Sequence, residues 1–181
     1  MTKIQDGTGS GKYAGVDSEN RLEVYSTMET EISHESESNK RAFTWEHHYD
    51  YDAGDTILLV KNTSSSKNLI IEKILVSSDT ATAIVIHFPK NTTLAGTSVT
   101  SVNLNRSSNN TADAEAYGDE TGNTQGDVMG YALLSANMPV FIPMDGAVVL
   151  GISNEIAVDF VTAGALGSVS IRGYYHSTGG E

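Results

Sequence analysis

The chain has 181 residues, enough for one domain whose core needs no covalent staples. It contains no cysteine, which excludes disulfides and thiolate metal sites, and its formal net charge of -12 with scattered Lys and Arg argues against nucleic-acid and anionic-lipid surfaces. The opening MTKIQDGTGSG has no apolar signal core, and no apolar run reaches the ~20 residues of a bilayer span. These features predict a soluble protein made in the cytoplasm, with no nucleic-acid and no membrane partner.

Residues 1–20 are rich in Gly, Ser, Thr and Asp and too poor in apolar groups to build a core. They read as an arm that orders against something else. Leu22–Tyr25 alternates like a short strand, and Ser33–Lys40 (SHESESNK) reads as an exposed linker. The expected organisation is therefore an extended N-terminal arm and linker over 1–40, followed by a β domain over 41–181.

Arg41–Tyr51 has the clearest alternation in the chain. Phe43, Trp45, His47, Tyr49 and Tyr51 fall on one face, and Thr44, Glu46, His48 and Asp50 on the other. Asp52–Asp55 turns into three β-branched runs, Thr56–Val60, Leu69–Val76 and Thr82–Phe88, separated by short polar segments. Pro89 reads as a strand stop, and Thr92–Leu104 as a weaker strand. Residues 105–127 are polar with five acidic side chains and read as a long loop. Strand patterns resume at Tyr131–Leu134. Pro139–Pro143 suits a sheet edge, and Met144–Gly146 a turn into Ala147–Ile152. In Asn154–Val161, Ile156, Val158 and Phe160 point in and Asp159 points out, and Ser168–His176 is the last strand after a loop at Gly164–Gly167. Roughly eight to ten strands at this spacing predict an all-β antiparallel sandwich, jelly-roll-like, with an extended N-terminal arm. Its predicted core holds Trp45, Leu59, Ile71, Ile86, Leu150, Val158 and Ile171.

Chemistry-bearing patterns are sparse. Glu46, His48 and Asp50 share a strand face and could converge on a divalent ion, but an ordinary solvated face has the same composition. The DYDAGD segment at Asp50–Asp55 departs from calcium-loop spacing, and the acidic stretch Asp113–Asp127 offers oxygens without a ligand pattern. There is no G-x-S-x-G elbow, and Gly7–Lys12 lacks phosphate-loop spacing because Tyr13 follows the lysine. Carboxylate pairs occur only in polar stretches, where nothing would raise a pKa. No catalytic, cofactor-binding or metal-binding residue is assigned, and a non-enzymatic protein without cofactors is expected.

Three stretches carry a resemblance: Asp6–Leu22 (DGTGSGKYAGVDSENRL), Leu59–Ser65 with Leu69–Ile74, and Ala95–Arg106 with Glu120–Gly126 beyond it. In them the chain resembles virion structural proteins of tailed bacteriophages. The resemblance implies a capsid decoration or cement protein on the virion surface, made in the host cytoplasm and assembled as a homotrimer. It implies the major capsid protein as partner, with Met1–Leu22 as attachment arm and Ile4, Tyr13, Val16, Arg21 and Leu22 as contact residues. Two other roles are compatible with a β domain of this kind. One is a receptor- or carbohydrate-binding domain of a tail fibre or adhesin, using Tyr117, Tyr131, Tyr174 or Tyr175. The other is a head–tail joining component.

Overall fold

In the computed structural model the described residues are 3–5, 13–16, 22–23, 30–51, 56–90, 94–161 and 165–177. They fall in two units, Met1–Thr30 and Glu31–Glu181. In the first, β1 (Lys3–Gln5), β2 (Tyr13–Val16) and β3 (Leu22–Glu23) form an antiparallel sheet in that order, with Ile4 opposite Ala14 and Val16 opposite Leu22. The strand expected at Leu22–Tyr25 is thus described over its first two residues.

The second unit opens with a helix where a linker was expected. Helix α1 (Glu31–Glu37) has too few turns to be stable alone, so its stability is tertiary. The Arg41 backbone N–H donates to the Glu35 carbonyl at 2.8 Å, and the Arg41 guanidinium lies 3.5 Å from the buried Glu35 carboxylate. Lys40 takes a left-handed φ of 57° as the chain leaves the helix. The sequence-derived boundary after residue 40 therefore falls inside the second unit, which begins at Glu31.

Eleven strands follow: β4 (Ala42–Tyr51), β5 (Thr56–Asn62), β6 (Lys67–Ser78), β7 (Thr82–Lys90), β8 (Thr97–Ser98), β9 (Val102–Asn103), β10 (Ala114–Glu120), β11 (Thr124–Leu134), β12 (Val140–Leu150), β13 (Glu155–Phe160) and β14 (Ala165–Ser177). They make two sheets, β11-β7-β13-β5-β10-β8 and β12-β6-β14-β4-β9, with every pairing antiparallel. The short connections β5–β6 and β6–β7 each carry the chain from one sheet to the other. Without the inserted β8, β9 and β10, eight strands remain. The first of these pairs with the last (β4·β14), the second with the seventh (β5·β13), the third with the sixth (β6·β12) and the fourth with the fifth (β7·β11). A long two-stranded ribbon rolled up on itself has this pairing, and the expected jelly-roll sandwich is the observed fold.

All seven predicted core residues are buried, Ile86 being the most exposed at 4%. Six belong to the interior cluster between the sheets; Leu59 is buried on the outer face of its sheet instead, opposite Ala157. In β4 the alternation holds where side chains are described. Phe43 and Trp45 are buried and His47 half-buried, while Glu46 and His48 are exposed.

Several boundaries differ from the sequence expectation. Strand β7 runs through Pro89, because its pairing with β13 ends at His87 and the missing N–H interrupts no bond to that neighbour. Met144–Gly146 is an irregularity inside β12, with Asp145 and Gly146 at positive φ, rather than a turn between two strands. Of the expected strand at Thr92–Leu104, residues 92 and 93 lie outside the described residues, and the rest holds two short pairings, β8 in one sheet and β9 in the other. The expected loop over 105–127 contains β10, which pairs along β5 with Ala116 facing the core. Strand β14 starts at Ala165, inside the loop expected at Gly164–Gly167.

Candidate functional site

The outer face of the β5-containing sheet carries a buried polar chain that no local pattern announces. His87 on β7, Asp159 on β13 and Thr56 on β5 occupy adjacent strands of that sheet. His87 Nε2 lies 2.6 Å from Asp159 Oδ2, and the Thr56 hydroxyl donates to Asp159 Oδ1 at 2.6 Å. The Asn123 amide donates to Thr56 Oγ1, and the Gly126 N–H donates to His87 Nδ1 at 3.3 Å. With Nδ1 accepting, the ring proton belongs on Nε2, where it faces the carboxylate. Asp159 points to the outer face as expected, yet it is buried.

A His–carboxylate pair beside a hydroxyl is the raw material of nucleophilic catalysis, but the geometry does not meet that chemistry's needs. A general base needs a ring nitrogen free to take a proton from the nucleophile. Here one nitrogen faces Asp159, the other accepts a backbone N–H, and the hydroxyl donates to the carboxylate instead of to the ring. The chain of bonds is closed, and it fastens the β10–β11 connection to the sheet. Gly126 is part of the fastening: a Cβ there would lie 2.0 Å from the Phe88 carbonyl oxygen.

Glu120 does similar work. Buried at the end of β10, it accepts N–H bonds from Ala95 and Gly96, both at 2.7 Å, on one oxygen and from Gly122 at 2.6 Å on the other. Asn62 donates to the carbonyls of Lys67, Leu150 and Gly151 and accepts the Ser64 N–H. Asn103 donates to the carbonyls of Lys40 and Asn110 and accepts the Asn105 N–H. Glu120, Asn62 and Asn103 thus each bond backbone groups at strand ends and in the irregular connections.

Glu46 and His48 share the exposed face of β4, but the Asp50 side chain and residues 52–55 lie outside the described set. Among the described residues no group of three or more His, Asp or Glu side chains could hold a metal ion. His47 turns inward against Gly118, where a Cβ would meet its ring at 2.1 Å, and burial lowers its pKa against the opposing pull of Asp119. The acidic stretch disperses. Asp113 pairs with Lys67 at 3.4 Å, Glu120 is buried, and Asp127 meets Lys90 at 2.8 Å, whose hydrogen bond and charge lower the Asp127 pKa.

Tyr174 and Tyr175 are buried, and desolvation raises both phenol pKa values. Tyr117 is half-buried, which leaves Tyr131, 64% exposed, as the one ring of the four free to stack on a ligand. Of the expected arm contacts, Ile4, Tyr13, Val16 and Leu22 lie on the strands of the first unit, and Arg21 lies outside the described residues.

No family model, curated protein or solved structure matches this chain.

The surface concavities add little chemistry. The largest described, about 530 Å³, is lined by Arg41, Lys67, Asn110, Asp113 and Tyr175 among others. Both of its cations face carboxylates, Arg41 with Glu35 and Lys67 with Asp113, and Lys67 Nζ also sits 5.9 Å from the centre of the Tyr175 ring. Among the described residues no helix is long and apolar enough to cross a membrane.

Proposed function

We propose that the protein is a structural component of a tailed-phage virion, a decoration or cement protein that binds the major capsid protein and stabilises contacts between capsomers. The observation that carries this reading is what the buried polar groups do. His87, Asp159, Glu120, Asn62 and Asn103 are each engaged in holding strands and connections together. A chain built that way acts through shape and adhesive surface. The eight-stranded jelly roll supports the reading by analogy, since viral capsid domains recur on it, and the phage-like stretches support it from the sequence side.

On this reading Met1–Leu22, with Ile4, Tyr13, Val16, Arg21 and Leu22, is the attachment segment. Repeated weak attachment over a capsid raises avidity without any single strong contact. The test is co-sedimentation of the full chain, and of a chain lacking Met1–Leu22, with bare heads of the encoding phage. The full chain is expected to bind and to raise the temperature at which the heads break, and the shortened chain to bind at least ten-fold more weakly. Undiminished binding by the shortened chain removes the arm from the proposal. No binding by the full chain, or turnover of a substrate by it, removes the proposal itself.

A further inference from the structure

The two sheets end differently on their two sides. On one side the outermost strands are the two-residue β8 and β9. On the other they are β11 and β12, each eleven residues long, joined by residues 135–139. Long edges normally carry charge, proline or bulges that deter strand addition. These rely mainly on two of the three. Pro143 removes an N–H from β12, whose register shifts between Pro143 and Val148. Strand β11 has register irregularities between Thr124 and Asp127 and between Val128 and Gly130.

Charge is the sparse device: the two strands carry only Asp127, paired with Lys90, and Asp145. In a chain of net charge -12, Asp145 is the single charged residue between positions 128 and 152. Eight of the eleven exposed large apolar side chains among the described residues fall in that same span, with Leu133 at 84% and Phe141 at 65% exposure. Between the two strands lies an apolar cavity of about 230 Å³, lined by Met129, Tyr131, Ala132, Ile142 and Met144 with Ile86 at its floor. Leu133 stands on the outer face of the β11 sheet and Phe141 on that of the β12 sheet, with the cavity between the two strands, and exposed apolar side chains concentrated along one edge of a chain mark a contact.

We propose that this flank is a self-association surface: a second copy of the chain packs against β11 and β12 through side chains, without extending either sheet. Charge selects the occupant. Two molecules of net charge -12 repel over most of their surfaces, and the span 128–152, with Asp145 as its single charge, is where they can meet while bringing the fewest like charges together. A basic partner would gain nothing from so neutral a surface. The cavity takes an apolar side chain of the neighbouring copy, and the bulged, proline-bearing edges keep the assembly closed instead of growing into a fibre. The homotrimer that the phage resemblance implies has no interface assigned to it; this inference places a contact between copies on one flank, and it is tested without capsids, so it and the capsid proposal can fail separately.

The experiment is sedimentation velocity with light scattering on the full chain at micromolar concentration. The wild-type protein is expected at two or more times the monomer mass of 19.3 kDa. The double variant Leu133→Lys, Phe141→Lys, and separately Met138→Glu in the connection, are expected to run as monomers or to associate at least ten-fold more weakly, with an unchanged circular-dichroism spectrum. Val102→Lys, at an exposed apolar residue on β9, is the control and is expected to leave the mass unaltered. A monomeric wild type overturns the proposal, as it would if another segment of the same chain covered the flank. Flank variants that fold and keep the wild-type mass overturn it too, as does dissociation by Val102→Lys.

Discussion

His47 shows how one side chain couples packing to pH. Its ring is turned inward against Gly118, and burial disfavours its charged form, so its folded pKa lies below the ordinary 6.5. Just below pH 6.5 the unfolded chain therefore binds more protons at this residue than the folded one. Stability from this source is complete above 6.5 and declines as pH falls through it. Melting curves taken from about pH 7.5 to about pH 5.5 should show the midpoint dropping, and His47→Gln should drop less over the same interval. Equal slopes for the two proteins would assign the pH dependence elsewhere. Asp159 makes a different prediction. Truncating it to Ala leaves the His87 ring nitrogen and the Thr56 hydroxyl buried without their acceptor. Two stranded polar groups inside the fold should cost about 2–4 kcal/mol, read by urea denaturation at neutral pH. A loss under about 0.5 kcal/mol would mean that water replaces the carboxylate freely.

Between strands, Glu120 is the group that ties the inserted segment to the jelly roll, because one carboxylate receives the N–H groups of Ala95, Gly96 and Gly122. Glu120→Gln replaces one acceptor oxygen with an amide that points its own hydrogens at those donors. The expected result is faster hydrogen exchange at Ala95 and Gly96 with the exchange of β6 and β14 unchanged, and a stability loss of about 1–3 kcal/mol. Uniformly faster exchange across the sheets would instead make Glu120 part of the global fold. Elements of this kind were the hard ones to read from sequence. Strand β4 was legible because Phe43, Trp45 and His47 alternate with charged or polar neighbours over a half-buried surface. Strand β10 was not, because Ala114, Ala116 and Gly118 on its inner side are small and Glu115, Asp119 and Glu120 dominate its composition, so its hydrophobic signal is faint. Helix α1 was missed for a related reason: it is held by Arg41 and Glu35 and carries no apolar stripe. The pairing of His87 with Asp159 spans 72 positions in the chain, and no local pattern encodes a contact that the sheet order creates.

At the scale of the molecule, that same non-locality governs how the domain forms. Strand β14 lies between β4 and β6, so the oldest and youngest parts of the β domain meet along one ladder. Thr44 and Ser170, 3.0 Å apart through their hydroxyls, are separated by 126 positions. The entropy of closing such loops must be met before their contacts form, and sandwiches of high contact order fold on the ~ms to s scale. The burial is arranged accordingly. Val169 and Ile171 on β14 complete the inner face begun by Trp45 on β4 and Ile74 on β6. A chain ending at Val161 would keep β4 and β6 but leave both without their common neighbour, exposing two rows of backbone groups and half an inner face. Such a chain should show no cooperative thermal transition and should precipitate on concentration. A chain starting at Glu31 keeps every strand of the jelly roll and should melt cooperatively, since the second unit holds its own core. Calorimetry on the two truncations separates these outcomes. A cooperative transition in the chain ending at Val161 would mean that the ribbon closes without its last strand and that β14 is not required to hold β4 and β6 together.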